Sequence, residues 1–232
     1  MQRITTQGIV LARTNFGEAD RIVTFLTPDN GKISAMVKGV RKSQSKLAGG
    51  IELFSVSDIT YIPGKRDVST IVSTRLHKHY GNIVKDLDRT NTGYELIKTL
   101  NKATEDRPEL DYFDLLNTAF AALDNAQISL DLIYVWFNAQ LLRLAGHSPN
   151  MRSESDGTEL VADQAYDFNF DTMSFQSTRS GHGLFTGDHI KFLRLIFSSN
   201  LPAALQKVQG ANQLAASLRP LLQSMLSSFV RL

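Results

Sequence analysis

Residues 21–38 read RIVTFLTPDNGKISAMVK, and this stretch decides the fold of the N-terminal part of the chain. Side chains alternate between two faces along residues 22–26, and a Pro-Asp-Asn-Gly turn follows at residues 28–31. The Asn-Gly pair supplies the positive φ that a tight hairpin turn requires. On the returning segment, one face carries Ile33, Ala35 and Val37, and the other carries Lys32, Ser34, Met36 and Lys38. The stretch therefore predicts a β-hairpin with one buried face.

Three further strands are predicted around this hairpin. They cover residues 4–14, 53–62 and 69–78, and a Pro-Gly-Lys turn at residues 63–65 joins the last two. Five short strands separated by turns predict a closed five-stranded β-barrel, for which the OB-fold is the commonest solution. A small SH3-like barrel fits the same pattern nearly as well.

The apolar spacing becomes helical after residue 81. We expect Pro108 in the first turn of one helix, Ser129 as the cap of another, and a kink or restart at Pro220. The predicted helices cover residues 87–102, a segment from Pro108 to about 123, and residues 129–145, 188–198 and 211–229. Residues 147–186 are polar and irregular, with a short hairpin near 166–175.

The predicted fold class is an α+β chain in two parts. Residues 1–80 are predicted to form an N-terminal five-stranded OB-fold β-barrel. Residues 81–232 form an all-α C-terminal domain with an irregular, cysteine-free insertion at about 147–186.

Composition excludes several classes of protein. The chain has 232 residues and no cysteine, which rules out disulfides, a thiol nucleophile and a thiolate zinc site. No apolar run approaches the roughly 20 residues needed to cross a bilayer, and the N-terminus lacks the apolar core of a secretory signal. A cytoplasmic location is therefore expected.

Motifs that carry catalysis are also missing. The sequence has no phosphate-binding Gly-x-x-x-x-Gly-Lys loop, no His-Glu-x-x-His and no Gly-x-Ser-x-Gly elbow. His77 and His79 share one face of a predicted strand, but no carboxylate lies near them in the sequence. We therefore expect no enzymatic activity, no cofactor and no metal.

Charge divides the chain unevenly. Residues 1–80 carry twelve Lys and Arg against six Asp and Glu, whereas residues 81–232 carry thirteen against seventeen. A basic half joined to an acidic half favours contact of the first half with a polyanion. The alternative is that both halves are simply solvated.

The segment from residue 31 to residue 51 is the most informative, because it has five cations and no acidic residue. Cations bind phosphates strongly without sequence preference, and the loop at 39–46 adds hydroxyl and amide donors. Aromatic residues are sparse in this half, which favours electrostatic capture over base stacking. The alternative is a solvated surface loop. The predicted nucleic-acid-binding residues are Arg13, Lys32, Lys38, Arg41, Lys42, Lys46, Lys65, Arg66 and Arg75.

A second candidate site lies in the helical half. Tyr134 and Trp136 fall off the main apolar stripe of their predicted helix, and Arg143, Lys191 and Arg194 supply nearby cations. An apolar groove rimmed by cations would dock an acidic, hydrophobic peptide. The alternative is that both aromatic side chains are core.

Several N-terminal segments together resemble a known family. Residues 8–11, 17–23, 26–32, 37–41 and 45–47 read GIVL, GEADRIV, LTPDNGK, VKGVR and SKL, and Leu53-Phe54 follows. Their order and spacing are similar to the N-terminal signature of the RecO recombinational-repair proteins. A looser similarity continues around Phe137–Gly146, Ser148-Pro149 and Phe185-Thr186-Gly187.

This resemblance implies an OB-fold followed by a helical domain. It also implies binding of single- and double-stranded DNA, annealing of complementary strands, and help in loading the recombinase onto coated single strands. The implied partners are RecR and the acidic C-terminal tail of single-stranded-DNA-binding protein. Many members carry a four-cysteine zinc module, which residues 151–183 cannot form. The resemblance further implies a bacterial protein associated with the nucleoid. The alternative function is a general single-stranded nucleic-acid (RNA) binding OB protein with a helical oligomerisation domain.

Overall fold

A computed structural model of the chain describes residues 2–64, 68–104, 110–178 and 182–229. The chain forms two compact units, Met1–Ala126 and Gln127–Leu232. Among the helices that the model describes, none combines the length and the apolar character that crossing a bilayer requires.

The N-terminal part of the first unit is a closed five-stranded barrel with the strand order β1-β2-β3-β5-β4. Its strands are β1 (Ile4–Phe16), β2 (Asp20–Thr27), β3 (Gly31–Val37), β4 (Ser55–Ile62) and β5 (Val68–His79). Neighbouring strands are antiparallel except β3 and β5, which pair in parallel. This order and closure are those of the OB-fold, so the predicted barrel is confirmed and the SH3-like alternative is not adopted.

The barrel interior is filled by the face that the hairpin pattern predicted. Ala35 and Val37 are fully buried, and Ile33 packs against the same core. Phe25 and Val23 of the partner strand are also fully buried. Gly31 has a φ of 62°, so the turn depends on the conformational freedom of this glycine.

Two helices follow the barrel in the first unit, α1 (Leu87–Ala103) and α2 (Leu110–Asp124). Phe54 packs edge-to-face against Phe120 of α2, at a ring-centroid distance of 5.5 Å. Gly93 of α1 lies against the same ring, since a Cβ there would stand 2.5 Å from Phe54. Because these helices pack with the barrel, the compact units divide at residue 126. A domain boundary at residue 80 stays a prediction.

The second unit contains α3 (Leu130–Leu144), α4 (Gly187–Ser198), α5 (Pro202–Leu205) and α6 (Ala211–Phe229). Ser129 occupies the N-cap position of α3, but its side chain makes no capping hydrogen bond. Pro220, where a kink or restart was predicted, lies inside α6, and the helix does not restart there. A kink at Pro220 stays a prediction. The start predicted at Pro108 lies outside the described residues.

The insertion is more ordered than the sequence suggested. Strands β6 (Ala165–Asn169), β7 (Ser174–Ser177) and β8 (Phe185–Thr186) form an antiparallel sheet in the order β7-β6-β8. The hairpin was predicted and β8 was not. Phe175 is fully buried and contacts Phe168 and Phe185 edge-to-face, at centroid distances of 5.1 and 5.6 Å. An aromatic core therefore holds this cysteine-free insertion together.

Candidate nucleic-acid interface

The loop after β3 carries four exposed cations. Lys38, Arg41, Lys42 and Lys46 are all exposed, and no acidic residue lies between them. We call residues 38–46 the basic loop. Its cations are available to a polyanion from solvent, as the sequence predicted.

The basic loop is anchored to the turn between β1 and β2. The Gly39 amide donates a hydrogen bond of 2.7 Å to the Asp20 carboxylate, and the Arg41 amide donates one of 2.9 Å to the Ala19 carbonyl. The Arg41 guanidinium also donates to the Gly17 carbonyl at 3.3 Å. Val40, between these anchors, is buried in the barrel core. These contacts hold the cations of the loop at one end of the barrel.

The following segment is fixed by β5. Thr74 donates its hydroxyl to the Leu47 carbonyl at 3.1 Å. A Cβ at Gly50 would stand 2.3 Å from the Thr74 side chain, so Gly50 permits close packing here.

Two of the predicted DNA-binding cations, Arg13 and Lys32, make hydrogen bonds within the protein. Arg13 donates to the Ile51 carbonyl at 3.2 Å and forms an ion pair with Glu52 at 3.2 Å. Lys32 donates to the Asn101 carbonyl of α1 at 3.1 Å. Lys32 also lies at the opposite end of β3 from Lys38, about 20 Å away at the usual rise of a strand. The structure therefore does not bring Lys32 together with the basic loop.

The remaining predicted cations lie elsewhere. Arg75 is exposed on β5, directly across from Asp58 of β4. The same carboxylate lies 3.7 Å from the His77 ring. Lys65 and Arg66 lie outside the described residues. No group of metal-binding side chains is found in the part of the chain that the structure describes.

The predicted peptide-docking aromatics are buried. Tyr134 is 4% exposed and Trp136 is 2% exposed. The Trp136 indole donates a hydrogen bond of 2.9 Å to the Ser199 carbonyl, and the Arg219 guanidinium covers the Tyr134 ring at 4.0 Å. The prediction that they lie off the core was wrong, because α3 is buried almost all round. Assigning core residues from a single apolar stripe assumes that the opposite face of the helix is solvated. Over most of its length α3 has no such face.

A groove in the second unit brings the predicted cations Lys191 and Arg194 together. It has a volume of about 940 Å³ and also contains Arg152, which sequence reasoning missed. The apolar part of its lining is Pro149, Met151, Leu160, Leu195 and Phe197. Arg194 donates to the Met151 carbonyl, which holds the two walls together. Arg143 is not among the residues that line this groove. We call the groove lined by these residues the α4 groove.

The N-terminus of α4 depends on a histidine. His189 Nδ1 accepts a hydrogen bond of 3.2 Å from the Thr186 amide, and Thr186 caps the helix in return. Accepting this bond requires an unprotonated Nδ1. Burial lowers the pKa of His189, and the opposing effect of Asp188 is smaller.

We expect acid to destabilise the protein through His189. Since the folded-state pKa is lowered, this contribution is fully present above the unfolded pKa of about 6.5 and is lost as the pH falls below it. Loss of such a cap costs about 1 kcal/mol. Denaturant unfolding of the wild type and of His189→Gln between pH 7.5 and 5 measures this, because glutamine accepts the same bond without titrating. A pH dependence equal in both proteins would contradict the assignment.

Known proteins similar to this chain were found both for the barrel and for a longer part of the chain. Residues 1–80 match the family model described as "Recombination protein O N terminal". Among curated proteins, the chain is 32% identical over 154 residues to the DNA repair protein RecO of Desulfatibacillum aliphaticivorans, covering 65% of this chain and 60% of that protein. It is 31% identical over 168 residues to the DNA repair protein RecO of Acetivibrio thermocellus, covering 72% and 66%. The aligned part therefore spans about three fifths of the length of such relatives.

The fold and the exposed basic loop define an OB-fold protein with a cluster of exposed cations at one end of its barrel. The matched residues 1–80 are the barrel that carries this loop. The barrel is thus the N-terminal domain of the RecO family, as the resemblance of these segments indicated. The chain is similar to RecO proteins over 65% of its own length.

Proposed function

We propose that this protein is a non-catalytic accessory of DNA repair and recombination. It binds single- and double-stranded DNA through the basic loop and promotes annealing of complementary strands. In this role it helps load the recombinase onto strands coated by single-stranded-DNA-binding protein, with RecR as a further partner. The relatives are named DNA repair proteins, which supports the role.

One observation carries the DNA-binding part of this proposal. Lys38, Arg41, Lys42 and Lys46 are exposed on an acid-free loop. The hydrogen bonds to Asp20 and Ala19 fix that loop at one end of an OB barrel. Loops of OB barrels commonly border nucleic-acid grooves, and clustered cations supply binding that depends little on sequence.

A strand-annealing assay distinguishes the proposed function from that of a protein that only binds nucleic acid. Two complementary oligonucleotides with a fluorophore and a quencher should pair faster with the wild-type protein than without it. The Arg41→Ala, Lys42→Ala double variant should lose the acceleration. As a matched control, replacing the exposed Lys98 and Lys102 of α1 with alanine removes the same charge and should preserve it. Binding without acceleration, or preference for RNA over DNA, would favour the general nucleic-acid-binding alternative.

The α4 groove supports the second part of the proposal, the docking of the acidic tail. A tail that ends in acidic and aromatic residues needs an apolar pocket rimmed by positive charge. The groove offers Leu160 and Leu195 beside Arg152, Lys191 and Arg194. A peptide site on the second unit would let the chain hold the tail without competition from DNA on the barrel.

A fluorescent tail peptide tests this docking site on the full chain. Lys191 is the best residue to change, because within the described part of the chain its one polar contact is an ion pair of 3.2 Å with the exposed carboxylate of Asp188. Lys191→Ala should weaken peptide binding several-fold, whereas Arg143→Ala should leave it unchanged. Added DNA should not displace the peptide. Displacement by DNA, or equal effects of the two substitutions, would refute a separate site on the second unit.

A further inference from the structure

Phe16 differs from every other aromatic residue of the barrel. Phe25, Phe54, Tyr61 and Tyr80 are 0–3% exposed, whereas Phe16 is 52% exposed. Within the described residues, the Phe16 ring contacts no other aromatic ring. Its ring therefore contributes little to the core and offers a free apolar surface.

The position of Phe16 is fixed by the barrel. It is the last residue of β1 and pairs with Asp20, the first residue of β2. Gly17 follows with a φ of 55°, which makes the turn tight, and a Cβ at Gly17 would meet no atom within 4 Å. The ring thus stands on an ordered strand end beside open space.

The same turn holds the basic loop. The Gly17 and Ala19 carbonyls accept the hydrogen bonds from Arg41, and Asp20 accepts that from Gly39. The Phe16 ring and the guanidinium of Arg41 are therefore presented at one end of the barrel. Glu18 and Asp20 are the acidic residues of this turn, and the Asp20 carboxylate is already engaged by Gly39.

We propose that Phe16 is a stacking platform for an unpaired base of a strand whose phosphates contact the basic loop. The inference rests on the proposed function and adds strand selectivity to it. An exposed flat ring beside cations is the combination with which proteins hold single strands. Bases of an intact duplex are stacked on their neighbours, so the ring gains nothing from them. Phe16 accordingly favours single strands over duplex.

The first test compares Phe16→Ala with the wild type in binding to an oligothymidine and to a duplex of equal length. Stacking on one base predicts a loss of roughly 5- to 150-fold on the single strand. Affinity for the duplex should remain within about twofold of the wild type. The log–log salt slopes of both complexes should not change, because no phosphate contact is removed. Phe16→Trp should restore single-strand binding. Leu87→Ala, which truncates another exposed apolar side chain, should change neither affinity.

A second measurement reads the contact directly. Oligothymidine should quench the fluorescence of Phe16→Trp but not that of the wild type, whose single tryptophan is buried. Equal losses on single strand and duplex, or an absence of quenching, would overturn the stacking role while leaving DNA binding intact. A wild-type protein that binds neither DNA would overturn the proposed function and this inference together.

Discussion

Replacing Arg41 and Lys42 with alanine is expected to flatten the salt dependence of single-strand binding by about 1.4 units of the log–log slope. If the four exposed cations of the basic loop neutralise about four phosphates, the log–log slope on single strands is roughly −3. Each cation removed subtracts about 0.7 from its magnitude. Binding should weaken alike for all sequences, because phosphate contacts do not read bases.

Titrations at several salt concentrations measure this slope. The Lys98→Ala, Lys102→Ala control should keep the wild-type slope. Because Arg41 also bonds the Gly17 carbonyl, Lys42→Ala alone separates loss of charge from loss of loop anchoring. An unchanged slope and affinity in the double variant would remove the basic loop from the site.

Among the substitutions proposed for this protein, Trp136→Ala is expected to lower the free energy of unfolding the most. The side chain is 2% exposed, and its indole N–H is paired with the Ser199 carbonyl. Truncation leaves a cavity and an unpaired carbonyl, which together lower the free energy of unfolding by about 3–5 kcal/mol.

Chemical denaturation followed by circular dichroism measures this loss. Arg143→Ala, on the exposed end of the same helix, should change the free energy of unfolding by less than about 0.5 kcal/mol. A Trp136→Ala protein of wild-type stability would contradict the core assignment and revive Trp136 as a docking residue.

The barrel could be predicted because its local signals agree with its packing. The hairpin alternation and the Asn30-Gly31 turn both specify the observed register of β2 and β3. The small sheet in the insertion was only half predicted, because β8 is two residues long and carries no periodic pattern. Strand β8 is held by the contact of Phe185 with Phe175 of β7, ten positions earlier in the chain. Local sequence patterns do not show such a contact.

Sequence could predict the part of the candidate site that depends only on charge, namely the cations of the basic loop. The exposed cations of the basic loop follow from a run without acidic residues. The engagement of Arg13 by Ile51 and of Lys32 by Asn101 could not be foreseen, because each pairs residues at least 38 positions apart. The exposure of Phe16 likewise depends on where β1 ends, and the predicted strand stopped two residues earlier.

The anchoring of the basic loop has a kinetic consequence. A loop that is already held by Asp20 and Ala19 pays little ordering entropy when a strand arrives. Encounter with DNA is then limited by diffusion and by long-range attraction rather than by a search among loop conformations. Capture should therefore be fast at low salt and slow steeply as salt is added, while the residence time depends on the short-range contacts made afterwards.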